Sequence, residues 1–133
     1  MPWKEEYQHG LIWQDFQHKQ LFDNIEILIE SVTTGKNDPD LFRKTALFVI
    51  QYCNGHFKIE EEYMTKHGYS LADSHIQQHN DFIKGFNEML KDKNINDLDK
   101  SNALLHKLLA WFTEHVITSD KLLANFLLRH GIK

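Results

Sequence analysis

Cysteine occurs once in this 133-residue chain, at position 53, and proline twice, at positions 2 and 39. A single thiol can form neither an intrachain disulfide nor a thiolate metal cluster. With so little proline, long stretches are free to be helical. No apolar run approaches the ~18 residues of a membrane span. The opening MPWKEEYQHG has no apolar h-region, so neither membrane insertion nor a signal peptide is expected, and the expected compartment is the cytoplasm. Positive charge is not in excess: 15 Lys and Arg face 19 Asp and Glu, for a net charge of -4. Nucleic-acid binding needs a basic footprint that is missing, and no basic amphipathic segment suggests a membrane surface.

The composition, 41% hydrophobic and 26% charged, is that of a globular protein, and the length suits a single domain over 1–133. Helical periodicity runs through most of it. Leu21, Phe22, Ile25, Leu28 and Ile29 follow His18 at helical offsets, placing a first helix at 12–34 that ends in the turn GKND. Asp38 before Pro39 reads as an N-cap followed by proline at the first helical position. The second helix, 39–67, carries Phe42, Ala46, Val49, Cys53, His56, Glu60 and Tyr63, with Gly68 as its stop. A third, 72–91, aligns His75, His79, Phe82, Phe86, Met89 and Leu90. A fourth, 99–130, carries Leu105, Leu108, Trp111, Phe112, His115, Leu122 and Phe126, and closes on Arg129, His130 and Gly131. No segment shows strand alternation. The expected fold is all-α, an antiparallel up-down-up-down four-helix bundle with an N-terminal arm, 1–11, packed through Trp3, Tyr7 and Leu11. A monomer is expected.

Nine histidines are present. His75 and His79, in HIQQH, are four apart and point the same way, as do His56 and Glu60 in HFKIE. His18 is in line with Leu21, Phe22 and Ile25, and His115 with Leu108, Trp111 and Phe112. Each helix therefore offers a histidine on its apolar stripe, and in an antiparallel bundle the stripes converge. One such histidine is ordinarily a core residue bonded to a backbone carbonyl. Five together with Glu60 need a common partner, since each unpaired buried polar group costs about 1–3 kcal/mol. A metal centre satisfies them all. His106 faces the other side of its helix, His67 and His130 sit at helix ends, and His9 is in the arm; these read as structural.

Imidazole and carboxylate donors suit iron, copper, manganese or zinc. HExxH is absent, which speaks against a zincin protease, and the donors exceed what one four-coordinate zinc can use. Two octahedral metals explain the excess, if five histidines are joined by two bridging carboxylates and a bridging oxo or hydroxo group. The second carboxylate is expected to be Asp120, five residues after His115 in HVITSD. In a regular α-helix five residues turn the side chain roughly 140° away, so a local π-type distortion is expected there.

With these motifs in order, the chain resembles the hemerythrin family, specifically its bacterial single-domain members. The likeness covers nearly the whole chain: Trp3, Gly10 eight residues before His18, DFQHKQLF, HFKIEE, HIQQH and HVITSD. The resemblance implies two iron ions with a bridging oxo or hydroxo group. His75, His79 and His115 bind one iron, His18 and His56 the other, and Glu60 and Asp120 bridge them. It further implies reversible dioxygen binding at the two-histidine iron, in oxygen carriage, storage or delivery, with an oxygen-consuming enzyme as a possible recipient and no enzymatic activity of its own. By position, Leu21, Phe57, Trp111, Phe112 and Val116 line the oxygen pocket. Phe112 departs from the leucine that many relatives carry there.

Two other functions compete with this one. A di-iron enzyme of the ferritin-like kind uses carboxylate-rich ExxH pairs, and none of the four helices carries an ExxH. An oxygen or nitric-oxide sensor usually has an attached signalling partner. With the fourth helix reaching 130, none is expected, so sensing would act through a separate protein.

Overall fold

A computed structural model describes residues 3–35, 39–92 and 97–132. Its chain is built from four helical rods. The first is α1 (Ile12–Thr33). The second, 39–67, runs through α2 (Pro39–Tyr52), a π-helical segment (Cys53–Phe57) and α3 (Lys58–His67). The third is α4 (Ala72–Lys91). The fourth, 97–129, joins α5 (Asp97–Trp111), a second π-helical segment (Phe112–Asp120) and α6 (Lys121–Arg129). There is no strand among the described residues, and the architecture is the expected four-helix bundle. Asp38, expected to cap the second rod, lies outside the described residues. None of the described helices is long and apolar enough to cross a membrane.

The ends follow from local chemistry. Gly68 takes a left-handed conformation (φ +65°) after α3, and the Tyr69 N–H then bonds back to the Met64 carbonyl at 3.0 Å. Gly131 repeats the device after α6, where Ile132 N–H reaches the Leu127 carbonyl at 2.9 Å. His130 donates Nδ1–H to the Phe126 carbonyl (2.8 Å), the structural role its position suggested.

Burial on the rods is interrupted at one level. On one side lies an apolar cluster containing Leu21, Phe22, Ile25, Val49, Phe57, Phe82, Phe86, Leu108 and Phe112. On the other lies a smaller one of Leu11, Met64, Tyr69, Leu123, Ala124 and Leu127. His18, His56, Glu60, His75, His79, His115 and Asp120 fall between these clusters, and all seven are buried. The bundle thus holds a polar layer between two hydrophobic ones, each rod contributing at the same height.

The arm closes one flank. Trp3 packs edge-on against Tyr7 and Phe22 (both 5.2 Å between ring centres), and Tyr7 packs edge-on against Phe112 at 5.1 Å. Asp15 then accepts the backbone N–H groups of His9 (2.7 Å) and Gly10 (3.0 Å), tying the arm to α1. Gly10 makes the turn with φ +101°, where a side chain is strained, and an added Cβ would stand 3.0 Å from Leu128 Cδ1. Leu128 can shift at its tip, so the backbone term dominates. Gly10→Ala is expected to cost about 1–3 kcal/mol, read as a lower urea midpoint with an unchanged slope.

Candidate metal centre

The polar layer resolves into two groups of donor atoms, each with all its atoms within 4.8 Å of one another. One contains Glu60, His75, His79, His115 and Asp120; the other contains His18, His56, Glu60 and Asp120. Glu60 and Asp120 belong to both. Their oxygens divide accordingly. Glu60 Oε1 lies near His75 Nε2 (3.2 Å) and His79 Nε2 (3.1 Å), while Oε2 lies 3.3 Å from His56 Nε2. Asp120 Oδ1 lies near His115 Nε2 (2.8 Å) and His75 Nε2 (3.0 Å), while Oδ2 faces His18 Nε2 (2.9 Å) and His56 Nε2 (3.6 Å). Each carboxylate turns one oxygen to the three-histidine group and the other to the two-histidine group.

Proximity here is not the same as hydrogen bonding. His56 Nε2, His79 Nε2, His115 Nε2 and Asp120 Oδ1 are buried and make no hydrogen bond despite these short separations. Native interiors rarely leave such atoms unsatisfied. Lone pairs that converge on a shared cation, rather than on each other, have this geometry. The nitrogen-rich donor set, with two carboxylates and no thiolate, also suits iron. On both counts the residues fit a pair of metal ions.

The far sides of the rings are anchored. His79 Nδ1–H donates to Glu61 (2.8 Å), His115 Nδ1–H to Gln78 Oε1 (2.6 Å), and His56 Nδ1–H to Gln17. Ser119 Oγ–H supports the same Gln78 oxygen at 2.9 Å. A proton held at Nδ1 leaves Nε2 as the free donor, so these contacts fix tautomer and ring angle together.

The π-helical segment Phe112–Asp120 accounts for the five-residue spacing of His115 and Asp120. Its i→i+5 hydrogen bonding adds a residue to the turn and rotates Asp120 back toward the layer, where it is fully buried. A second π-segment, Cys53–Phe57, contains His56. The residue spacing gives no sign of it, because His56 and Glu60 already share a face at ordinary α spacing. Gly55 in its middle, a weak helix former, is the one signal that was available.

Electrostatics reinforce the layer. Burial lowers the His56 pKa, but Glu60 and Asp120 outweigh this and push it up to about 9. His75 reaches about 9 in the same way, with the Asp120 and Glu60 carboxylates again overcoming burial. Burial and mutual repulsion raise Glu60, yet His56 and His75 hold it well below the usual carboxylate range. Asp120, raised by burial, is likewise held low by His115, His18 and His56. Burial wins at His115 and keeps its pKa below the usual imidazole value.

All five expected pocket residues are buried. Phe57 stacks on His79 (4.0 Å between centres, 4° between planes), and Trp111 stacks on His115 (3.8 Å, 13°). Both therefore back the three-histidine group. Phe112 sits between Tyr7 and Phe22 (5.6 Å), and Leu21 and Val116 join the same apolar cluster. Several contributors carry no signal in the sequence. Tyr52 stacks on His56 at 4.7 Å, one turn earlier on the same rod. Gln14, fully buried, donates Nε2–H to Glu60 Oε2 at 2.9 Å. His9 is buried beside His18. His106, by contrast, is exposed on the opposite face. Cys53 is half-buried, with a thiol pushed up to about 12 by that burial, and so is unreactive.

The hemerythrin HHE cation binding domain profile matches residues 9–127. A bacteriohemerythrin of Clostridium acetobutylicum is 27% identical over 129 aligned residues, covering 90% of this chain and 95% of that protein. A bacteriohemerythrin of Methylococcus capsulatus is 27% identical over 123 residues, covering 92% of each.

Proposed function

This chain belongs to the hemerythrin family, and from that premise we propose that it binds dioxygen reversibly at a non-haem di-iron centre, as a carrier, storage or delivery protein and not as an enzyme. The observation that carries the reading is the sharing of Glu60 and Asp120 between the two donor groups. Two ions can then be held at once, with His75, His79 and His115 on one side and His18 and His56 on the other. An oxo or hydroxo bridge completes the proposed cofactor. Held by these residues, an iron pair would supply reversible redox chemistry for dioxygen.

The protein's part is to hold, orient and exclude. Five imidazoles against two carboxylates keep the donor set poor in negative charge, which favours the reduced state over deep oxidation. The Nδ1 anchors at Gln17, Glu61 and Gln78 hold the rings against the swing that a change in metal charge would impose. Leu21, Phe57, Trp111, Phe112 and Val116, all buried, form the proposed apolar wall. Water has little access to such a wall, and the departure of a charged oxygen species is disfavoured where charge is poorly solvated.

The decisive test is iron stoichiometry together with the visible spectrum of the reduced protein before and after air. About two irons per chain and a new charge-transfer band that disappears on deoxygenation are expected. A protein that takes up a single zinc and stays colourless overturns the reading. Within it, Phe112→Leu is expected to change the oxygen off-rate several-fold while iron content stays unchanged. Stopped-flow release at the wild-type rate would remove Phe112 from the pocket.

A further inference from the structure

We propose that His9 and Gln14 are positioning residues for the two-histidine side of the centre, holding the Glu60 carboxylate through the buried hydrogen-bond chain His9–Gln14–Glu60 while the His9 ring packs against His18. The proposal rests on the di-iron reading and extends it to two residues outside the ligand set.

Hydrogen-bond polarity orients the chain. Gln14 is fully buried, so its amide must be satisfied by protein. Its neighbours Glu60 Oε2 (2.9 Å) and the Asp120 carbonyl oxygen (3.2 Å) only accept. The NH2 end therefore faces them, and Gln14 Oε1 faces His9 Nδ1 at 3.1 Å. That nitrogen carries the proton, and His9 Nε2 is left as an acceptor. It is buried and makes no hydrogen bond, and the same is true of His18 Nδ1. The two rings meet edge to face, 5.4 Å apart, and one nitrogen of each lies with an Asp15 oxygen inside a 4.8 Å cluster. A His18 that offers Nε2 to the centre keeps its proton on Nδ1, the polarity that an acceptor on His9 complements. The backbone of His9 is itself fixed, because Asp15 captures the N–H groups of His9 and Gly10.

The chain ends on the Glu60 oxygen that faces His56, not on the one that faces His75 and His79. A donated N–H draws electron density from that oxygen and makes it a weaker donor toward a cation on the two-histidine side. The higher metal charge state is stabilised less. The Gln14 amide thus biases the centre toward its reduced form, and His9 locks the amide in the orientation that does so.

The test compares wild type, Gln14→Leu, His9→Phe and His9→Asn in the iron-loaded protein, by iron content, midpoint reduction potential and autoxidation rate. The asparagine amide nitrogen branches from Cγ as histidine Nδ1 does, so it preserves the donor to Gln14. Gln14→Leu is expected to lower the potential and to autoxidise about tenfold faster, the size of one hydrogen bond to a charged group. His9→Phe should move both in the same direction by less, and His9→Asn should return them toward wild type. A wild-type potential and autoxidation rate in Gln14→Leu overturn the proposal. If that variant fails to fold, the two His9 variants decide, and equal values in them overturn it. A wild type that holds no iron pair defeats the di-iron reading and this proposal together, and iron content separates that outcome from the others.

Discussion

Asp120→Ala is expected to hold no metal pair and to be less stable than wild type even when both are metal-free. Asp120 is the most connected group of the layer, within 3.0 Å of His18, His75 and His115. In the proposed bridging role it has no substitute, because the π-segment delivers a single carboxylate to this point. In the metal-free protein it also neutralises the charge that His56 and His75 carry. Its removal leaves those buried imidazoliums with Glu60 alone, a loss of about 3–5 kcal/mol. Metal analysis after iron loading and urea unfolding of the apo-protein measure the two effects separately. Asp120→Asn keeps the volume and removes the charge, so it should restore packing but not metal. Wild-type iron content in either variant would contradict the proposed bridging role.

The second large effect is a pH dependence of the metal-free protein. His56 and His75 have folded-state pKa values of about 9, against roughly 6.5 when unfolded. A raised pKa stabilises the folded state fully below the unfolded value and loses that contribution as pH rises through the folded one. Stability should therefore fall between pH ~6.5 and ~9.5. Each shift corresponds to about 3 kcal/mol, and since both histidines share the same two carboxylates, the combined loss is about 3–5 kcal/mol. His9 and His115 are shifted the other way by burial, so their contribution is lost as pH falls below ~6.5. Glu60 and Asp120, held low, lose theirs only as pH falls below ~4. The apo-protein is accordingly expected to be most stable near pH ~6.5, by urea midpoints across the range. The same histidines must shed their protons to bind metal. Loading at pH 7 should release about two protons per chain, measurable by calorimetry in buffers of different ionisation enthalpy. A metal-free protein as stable at pH 9.5 as at 6.5 would show that these pairs carry no such charge.

The fold class was legible because burial on each rod recurs at helical spacing, so Leu21, Ile25 and Leu28 alone identify a buried face of α1. The convergence of the candidate ligand residues was legible for the same reason, since HIQQH and HFKIE place both members of a pair on one face. The π-segment at Phe112–Asp120 could be anticipated only because an α-helix cannot bring His115 and Asp120 to one layer. At Cys53–Phe57 no such conflict exists, and the distortion left no trace in spacing. The supporting polar residues were hidden for a different reason. Gln17, Glu61 and Gln78 look like ordinary solvent-facing helix residues, and their partners lie 39, 18 and 37 residues away in sequence. His9 was assigned to a structural role because nothing in the arm reveals that Asp15 folds it back onto α1.

The separation of His18 from Asp120 sets a clock. They meet across 102 residues, and the candidate ligands between them come from the second, third and fourth rods. At the usual pace of synthesis, about 5–20 residues per second, His18 waits about 5–20 s for its partner to be made. Until then the layer lacks its second carboxylate, and the nascent chain can gather His56, His75 and His79 around Glu60 alone. The proposed pair of sites is thus complete only when synthesis is nearly over, after the first three rods have been made.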